Sequence, residues 1–138
     1  MAEFGIFLLR VSVGALMAFG HGWPKFQKVL AGDPVKFPDP LGLGGELSFY
    51  LVVGAEFFCS ILLILGLFTR LSLIPLAFTM CVAAFIQHSG DPFPKVELPL
   101  LYLGAYLTLL CTGAGSFRLQ DKILSVRSNN RVIDFLFN

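Results

Sequence analysis

A few ionisable side chains interrupt the apolar stretches of this sequence, and their types are suited to chemistry. Histidine and glutamate accept and release protons, whereas arginine and lysine attract anionic groups. At membrane depth such a side chain costs about 2.5–3.5 kcal/mol on insertion scales, which makes each one a functional-site hypothesis. The residues concerned are Arg10, His21, Lys25, Glu56, His88 and Glu97.

The first apolar stretch carries three of these residues on one helical face. At about 100° per residue, Arg10, His21 and Lys25 fall on a single stripe. Gly14 lies on the same stripe and leaves room for another helix or a ligand. We expect the helix to end near Pro24, before Lys25.

Glu56 stands near the middle of the second apolar stretch. A lone carboxylate at that depth is either protonated or paired. The long side chain of Arg10 can reach toward it, so we predict a buried ion pair between Arg10 and Glu56. Two interpretations stay open, because such a pair can simply fix helix packing or can give Glu56 a functional role.

The alternation of helices predicts a shared pocket at one end of the bundle. His21 and Lys25 lie at the end of the first helix, His88 lies at the end of the third, and Glu97 lies at the start of the fourth. We therefore expect all four at the same membrane depth, with Glu56 beneath them. The structural alternatives are an interfacial histidine at His88 and a helix-dipole partner at Glu97. Three aromatic residues are close in sequence to these ionisable residues, namely Trp23, Phe85 and Phe93. They could form a wall of the pocket on which a planar ring stacks.

This pocket hypothesis assigns a role to each ionisable residue. The candidates for proton transfer are His88, Glu56 and Glu97, and the candidates for substrate binding are Arg10, His21, Lys25 and Trp23. Two histidines and a carboxylate could hold a metal, but they lack local ligand spacing such as H-x-x-x-H, so no metal is predicted. The sequence contains no haem, flavin or nucleotide motif.

The composition predicts a membrane protein. Of 138 residues, 56% are hydrophobic and only 14% are charged, with a mean hydropathy of +0.79, whereas soluble domains carry about 25% charged residues. The net charge of +1 argues against a nucleic-acid partner. We predict an all-α fold, a four-helix transmembrane bundle in the lipid bilayer. The predicted spans are residues 4–23, 47–68, 71–87 and 96–112.

The last part of the chain differs in character from the four spans. We predict a four-helix domain over residues 1–116 and an amphipathic segment over residues 117–138, lying on the membrane surface, with a disordered tail as the alternative. Basic residues number five on the side of the termini and four on the other side. This asymmetry predicts that both termini are cytoplasmic.

The order of these residues resembles the DoxX family of four-helix bacterial inner-membrane proteins. The resemblance covers residues 10–121. Its motifs are Arg10 and Gly14, then His21-Gly22-Trp23-Pro24-Lys25, Glu56, Gly66-Leu67-Phe68-Thr69-Arg70, His88, Glu97 and Gly113-Ala114-Gly115-Ser116-Phe117. The closing motif departs from the family, which usually has proline where Ala114 stands, serine at Arg118 and an acid at Gln120.

The resemblance implies several functions. One branch of the family includes the large subunit of a thiosulfate:quinone oxidoreductase, and others are linked to redox stress, sulfur metabolism or detoxification of quinones and catechols, often beside a soluble oxidoreductase. The leading hypothesis is therefore a membrane component of a redox system that handles a quinone, or a small sulfur-containing or aromatic substrate, in the pocket. The rival is a non-enzymatic anchor or assembly factor for a partner oxidoreductase. A small transporter fits less well, and a homo-oligomer stays open.

Overall fold

The computed structural model describes residues 1–120, and these residues form an antiparallel bundle of four helices without strands. The helices are α1 (Ala2–Ala31), α2 (Gly45–Leu65), α3 (Thr69–Gln87) and α4 (Phe93–Thr112), and each is long and apolar enough to cross a membrane. The predicted all-α bundle is thus confirmed. From residue 121 onward, the predicted amphipathic segment lies outside the described residues.

The first helix is longer than predicted, because it continues through Pro24 to Ala31. A proline inside a helix clashes with the carbonyl four residues earlier and lacks the N–H that would bond to it. Here a π-helical turn over Ala18–Gly22 directly precedes the α-helical segment Trp23–Ala31, so Pro24 occupies the first turn of that segment. In that position proline is tolerated, so Lys25 stays on the helix.

Neighbouring helices pack in sequence order around the bundle, and α1 also packs against α4. Two glycines let α1 approach α2 closely. A Cβ atom added to Gly22 would lie 2.6 Å from the carbonyl oxygen of Glu56, and one added to Gly14 would lie 2.7 Å from the side chain of Ile64. The core between the helices includes Met17, Leu63, Leu73, Leu76, Tyr106 and Leu109.

The turn between α2 and α3 is tied to the segment that follows α4. Gly66 has a φ of 67°, and Phe68 has a φ of 47°. The side-chain oxygen of Gln120 accepts a hydrogen bond from the N–H of Phe68 at 3.0 Å, and the N–H of Leu119 donates to the carbonyl of Leu65 at 3.0 Å. These bonds close one end of the bundle, which we call the Arg10 end.

Candidate functional site

A cavity of about 440 Å³ opens at the other end of the bundle, which we call the cavity end. Ligand pockets in proteins commonly enclose roughly 300–1,000 Å³. Its walls come from α2, α3 and the loop over residues 32–44, with Lys25 contributed by α1. The apolar lining includes Phe37, Leu43, Leu51, Ala55, Phe78 and Val82, and the polar lining consists of Lys25, Ser48, Glu56, Thr79, Gln87 and His88.

Glu56 pairs with Lys25 and not with Arg10, which corrects the predicted ion pair. The ammonium of Lys25 donates a hydrogen bond to Oε2 of Glu56, and it lies 3.4 Å from the carbonyl oxygen of His21. Glu56 is only 6% exposed, so it needs such a partner. The helix that continues past Pro24 brings Lys25 to this level, and the absence of a side chain at Gly22 lets the two backbones approach.

Arg10 lies far from the cavity and makes a different set of contacts. Its guanidinium donates one hydrogen bond to the carbonyl of Ala114 at 2.7 Å and another to that of Phe117 at 2.5 Å. Arg10 and Lys25 are fifteen positions apart in the sequence, which corresponds to about 22 Å along a helix. The predicted substrate-binding role of Arg10 finds no support here, since it holds the chain after α4 and is not among the lining residues.

His88 reaches the cavity and is held by a residue that the sequence analysis missed. Its Nδ1 lies 2.9 Å from Oδ2 of Asp91, and Nζ of Lys95 lies 3.5 Å from the same oxygen. The hydrogen bond from His88, and then the charge of Lys95, hold the pKa of Asp91 below its usual value despite some desolvation. The spacing His-x-x-Asp in a turn was the available signal.

The other predicted site residues do not line the cavity. The ring of His21 packs edge-on against Tyr102, with centroids 6.0 Å apart, and Trp23 packs against Phe57 at 5.7 Å. Glu97 is exposed on α4. Of the predicted convergence, the described structure therefore brings together Lys25, Glu56 and His88. The aromatic residues Phe85 and Phe93 are also exposed and outside the lining.

The loop before α2 covers part of the cavity and is fixed by Asp39. This carboxylate accepts hydrogen bonds from the N–H groups of Leu43 and Gly44, both at 2.8 Å, and from the hydroxyl of Ser48 at 3.1 Å. The bond from Gly44 is the main reason that the pKa of Asp39 lies below its usual value. The loop thus forms a defined wall, which includes Phe37.

Each of the first three helices contains a π-helical turn at or beside an ionisable residue of the predicted set. His21 lies within the turn Ala18–Gly22, Glu56 lies within Gly54–Cys59, and His88 directly follows Ala83–Gln87. Such turns occur frequently at functional sites, where they redirect side chains. Nothing in the sequence pattern signalled them.

Four hydroxyl groups among residues 1–120 are buried without a hydrogen bond, namely those of Ser60, Thr69, Ser72 and Tyr106. Ser60 lies one helical turn from Glu56. Among residues 1–120, no three His, Cys, Asp or Glu side chains are grouped so that they could hold a metal ion. The ionisable lining residues Lys25, Glu56 and His88 can exchange protons and form hydrogen bonds.

Comparisons with known proteins agree on one family. The family model DoxX matches residues 5–89. Two uncharacterized proteins of Haemophilus influenzae are similar to the chain: one is 35% identical, covering 83% of this chain and 87% of the relative, and the other is 29% identical, covering 73% and 70%. No solved structure matches. Because the chain has a four-helix fold and these matches, we conclude that it belongs to the DoxX family.

Proposed function

We propose that this protein is a membrane component of a redox system and that it binds a quinone or a related small aromatic molecule in its cavity. The observation that carries the proposal is the cavity itself: its lining is mostly apolar, and Lys25, Glu56 and His88 form its few ionisable groups. An apolar pocket with a small number of convergent polar groups is the usual form of a small-molecule site. The rival anchor function requires no cavity of this kind.

The charges at the cavity favour a ring with polar substituents over a free anion. Glu56 neutralises Lys25, and Asp91 lies between His88 and Lys95. An anionic sulfur compound would have to displace Glu56 from Lys25 and leave a buried carboxylate unpaired, which is costly. A neutral quinone, in contrast, needs only hydrogen-bond partners for its oxygens.

Entry from the bilayer fits the positions of the lining residues. Leu51 on α2 and Phe78 on α3 are 55% and 59% exposed, respectively, in helices suited to cross a membrane. They therefore face lipid beside the cavity, while the loop held by Asp39 covers its other side. In this proposal Glu56 and His88 exchange protons with the ligand, and the hydrogen bond from Lys25 holds the carboxylate of Glu56 in position.

The cellular setting belongs to the same proposal. We place the protein in the bacterial inner membrane with both termini in the cytoplasm, because of the basic residues around the helix ends. The cavity would then open near the periplasmic face. A soluble oxidoreductase partner would supply or take the electrons, because the sequence carries no redox cofactor motif.

Quinone binding can be tested directly on the purified protein. Native mass spectrometry should detect co-purified quinone, and calorimetry should detect binding of an added short-chain quinone. Val82→Trp fills the cavity and should abolish binding, whereas Leu107→Trp, on an exposed position of α4, should leave it intact. Equal binding by both variants, or none by the wild type, would overturn the proposal and favour the anchor function.

A further inference from the structure

His88 and Asp91 form a geometrically defined pair at the edge of the cavity. Nδ1 of His88 lies 2.9 Å from the carboxylate of Asp91, while His88 lines the cavity. Lys95 adds a second contact to the same carboxylate oxygen at 3.5 Å. An ionised carboxylate only accepts hydrogen bonds, so Nδ1 of His88 must carry the proton. The second ring nitrogen, Nε2, is then the free acceptor of a neutral imidazole.

We propose that Asp91 is a positioning residue that holds His88 in the Nδ1–H tautomer, so that Nε2 accepts a proton from a hydroxyl group of the cavity ligand. This inference rests on the proposed function and narrows it to ligands with a ring hydroxyl, such as a hydroquinone or a phenol. A bare Nε2 cannot donate to a carbonyl, so it discriminates in favour of the hydroxylated form.

The proposed proton transfer changes no oxidation state and needs no electron acceptor. The O–H bond of the ligand breaks, its electron pair stays on oxygen, and an N–H bond forms at Nε2 of His88. The resulting imidazolium lies beside the negative charge of Asp91, and its Nε2–H donates a hydrogen bond back to the oxygen anion of the ligand. Separation of charge in this way is favoured when each new charge has an opposite neighbour.

The charged groups around His88 come from three helices and one turn. Asp91 and Lys95 lie on the side of the α3–α4 turn, and Lys25 and Glu56 are the charged residues in the cavity lining. Lys25 and Glu56 already pair with each other. Asp91 is thus the acidic group in direct contact with the imidazole, and its removal should change the tautomer without a change in cavity shape.

The alternative is that the pair merely closes the turn between α3 and α4. Nitrogen-15 NMR on labelled protein separates the two, because the chemical shifts of the ring nitrogens identify which one is protonated. Asp91→Ala should convert neutral His88 from the Nδ1–H form toward the Nε2–H form that the free histidine side chain prefers. The chain has two histidines, and the signals of His21 should not change, which provides an internal control.

A matched variant tests whether the change is specific. Asp33→Ala removes an exposed aspartate from another loop, and its His88 signals should equal those of the wild type. If His88 shows the Nε2–H form in the wild type, or keeps the Nδ1–H form in Asp91→Ala, the positioning role is wrong.

Ligand affinity supplies the second readout. A short-chain hydroquinone should bind Asp91→Ala roughly 10-fold more weakly than the wild type, whereas its dimethyl ether should bind both proteins equally. If the affinity for both probes falls equally, Asp91 only shapes the turn and the proposal fails. If no hydroquinone or quinone binds the wild type while the tautomer changes as expected, the fault lies in the proposed function and not in the positioning by Asp91.

Discussion

The two ends of the bundle solve the problem of a buried charge in different ways. At the Arg10 end, the guanidinium donates to the backbone carbonyls of Ala114 and Phe117, and Glu3 accepts hydrogen bonds from the N–H and hydroxyl of Ser116, both at 2.7 Å. The partners on the chain after α4 are thus mostly backbone groups. Neither the carbonyls nor the guanidinium can change protonation, so the buried charge of Arg10 and its partners are fixed.

At the cavity end, Lys25 and Glu56 satisfy each other beside open space. A carboxylate can lose its charge by taking up a proton, and an ammonium can turn to a ligand. The same bundle therefore contains one buried charge, that of Arg10, that is held by the fold, and one ion pair, Lys25–Glu56, that borders open space. Burial is therefore common to the charge of Arg10 and to the Glu56 carboxylate of the proposed function, and their partners and the adjacent space distinguish them.

The comparison predicts that Arg10→Met is the most damaging of the substitutions considered. It removes a buried side chain that is 1% exposed and leaves carbonyl groups at Ala114 and Phe117 without donors. We expect a loss of about 2–5 kcal/mol in the free energy of unfolding. Thermal unfolding in detergent measures it. A midpoint within a degree of the wild type would contradict the structural role.

Gly22→Ala should disturb the cavity end by bringing a methyl group against the backbone of Glu56. The added Cβ would lie 2.6 Å from a carbonyl oxygen that cannot move aside as a flexible side chain can. Overpacking of this kind costs about 1–3 kcal/mol. Gly20→Ala, in the same π-helical turn but facing open space, is the matched control and should unfold like the wild type. Equal stability of the two variants would mean that the helices separate easily at this contact.

A double-mutant cycle should locate the ion pair. Lys25 and Glu56 are in direct contact. The double variant Lys25→Met with Glu56→Leu should therefore lose less free energy of unfolding than the two single variants lose together, by about 1–3 kcal/mol. Each single loss should be smaller than that of Arg10→Met, because the pair lines an open cavity, where water can reach the remaining partner. Arg10→Met combined with Glu56→Leu should be additive. Coupling in the second cycle and not in the first would restore the original Arg10–Glu56 prediction.

The sequence predicted the general form of the fold but not the partners of its charges. Apolar stretches of helical length identified the four spans, and the position of Glu56 within one of them indicated a buried carboxylate. The identity of its partner depended on whether α1 continues through Pro24, and the π-helical turn that permits this leaves no clear pattern in the sequence. The partners of Arg10 are backbone carbonyls more than 100 residues away, and backbone groups have no sequence signature.

The smallest expected effect concerns the core between the two ends. The hydroxyl of Tyr106 is buried without a hydrogen bond in the described structure. Loss of an unsatisfied hydroxyl removes a desolvation penalty, so Tyr106→Phe should leave the unfolding free energy unchanged or raise it by up to about 1 kcal/mol. Tyr102→Phe, one helical turn nearer the cavity end, provides the comparison in thermal unfolding. A clear loss of stability in Tyr106→Phe would show that its hydroxyl has a partner, such as a buried water, and that polar contacts extend from Glu56 into the core. The sharp division between the two ends of the bundle would then no longer hold.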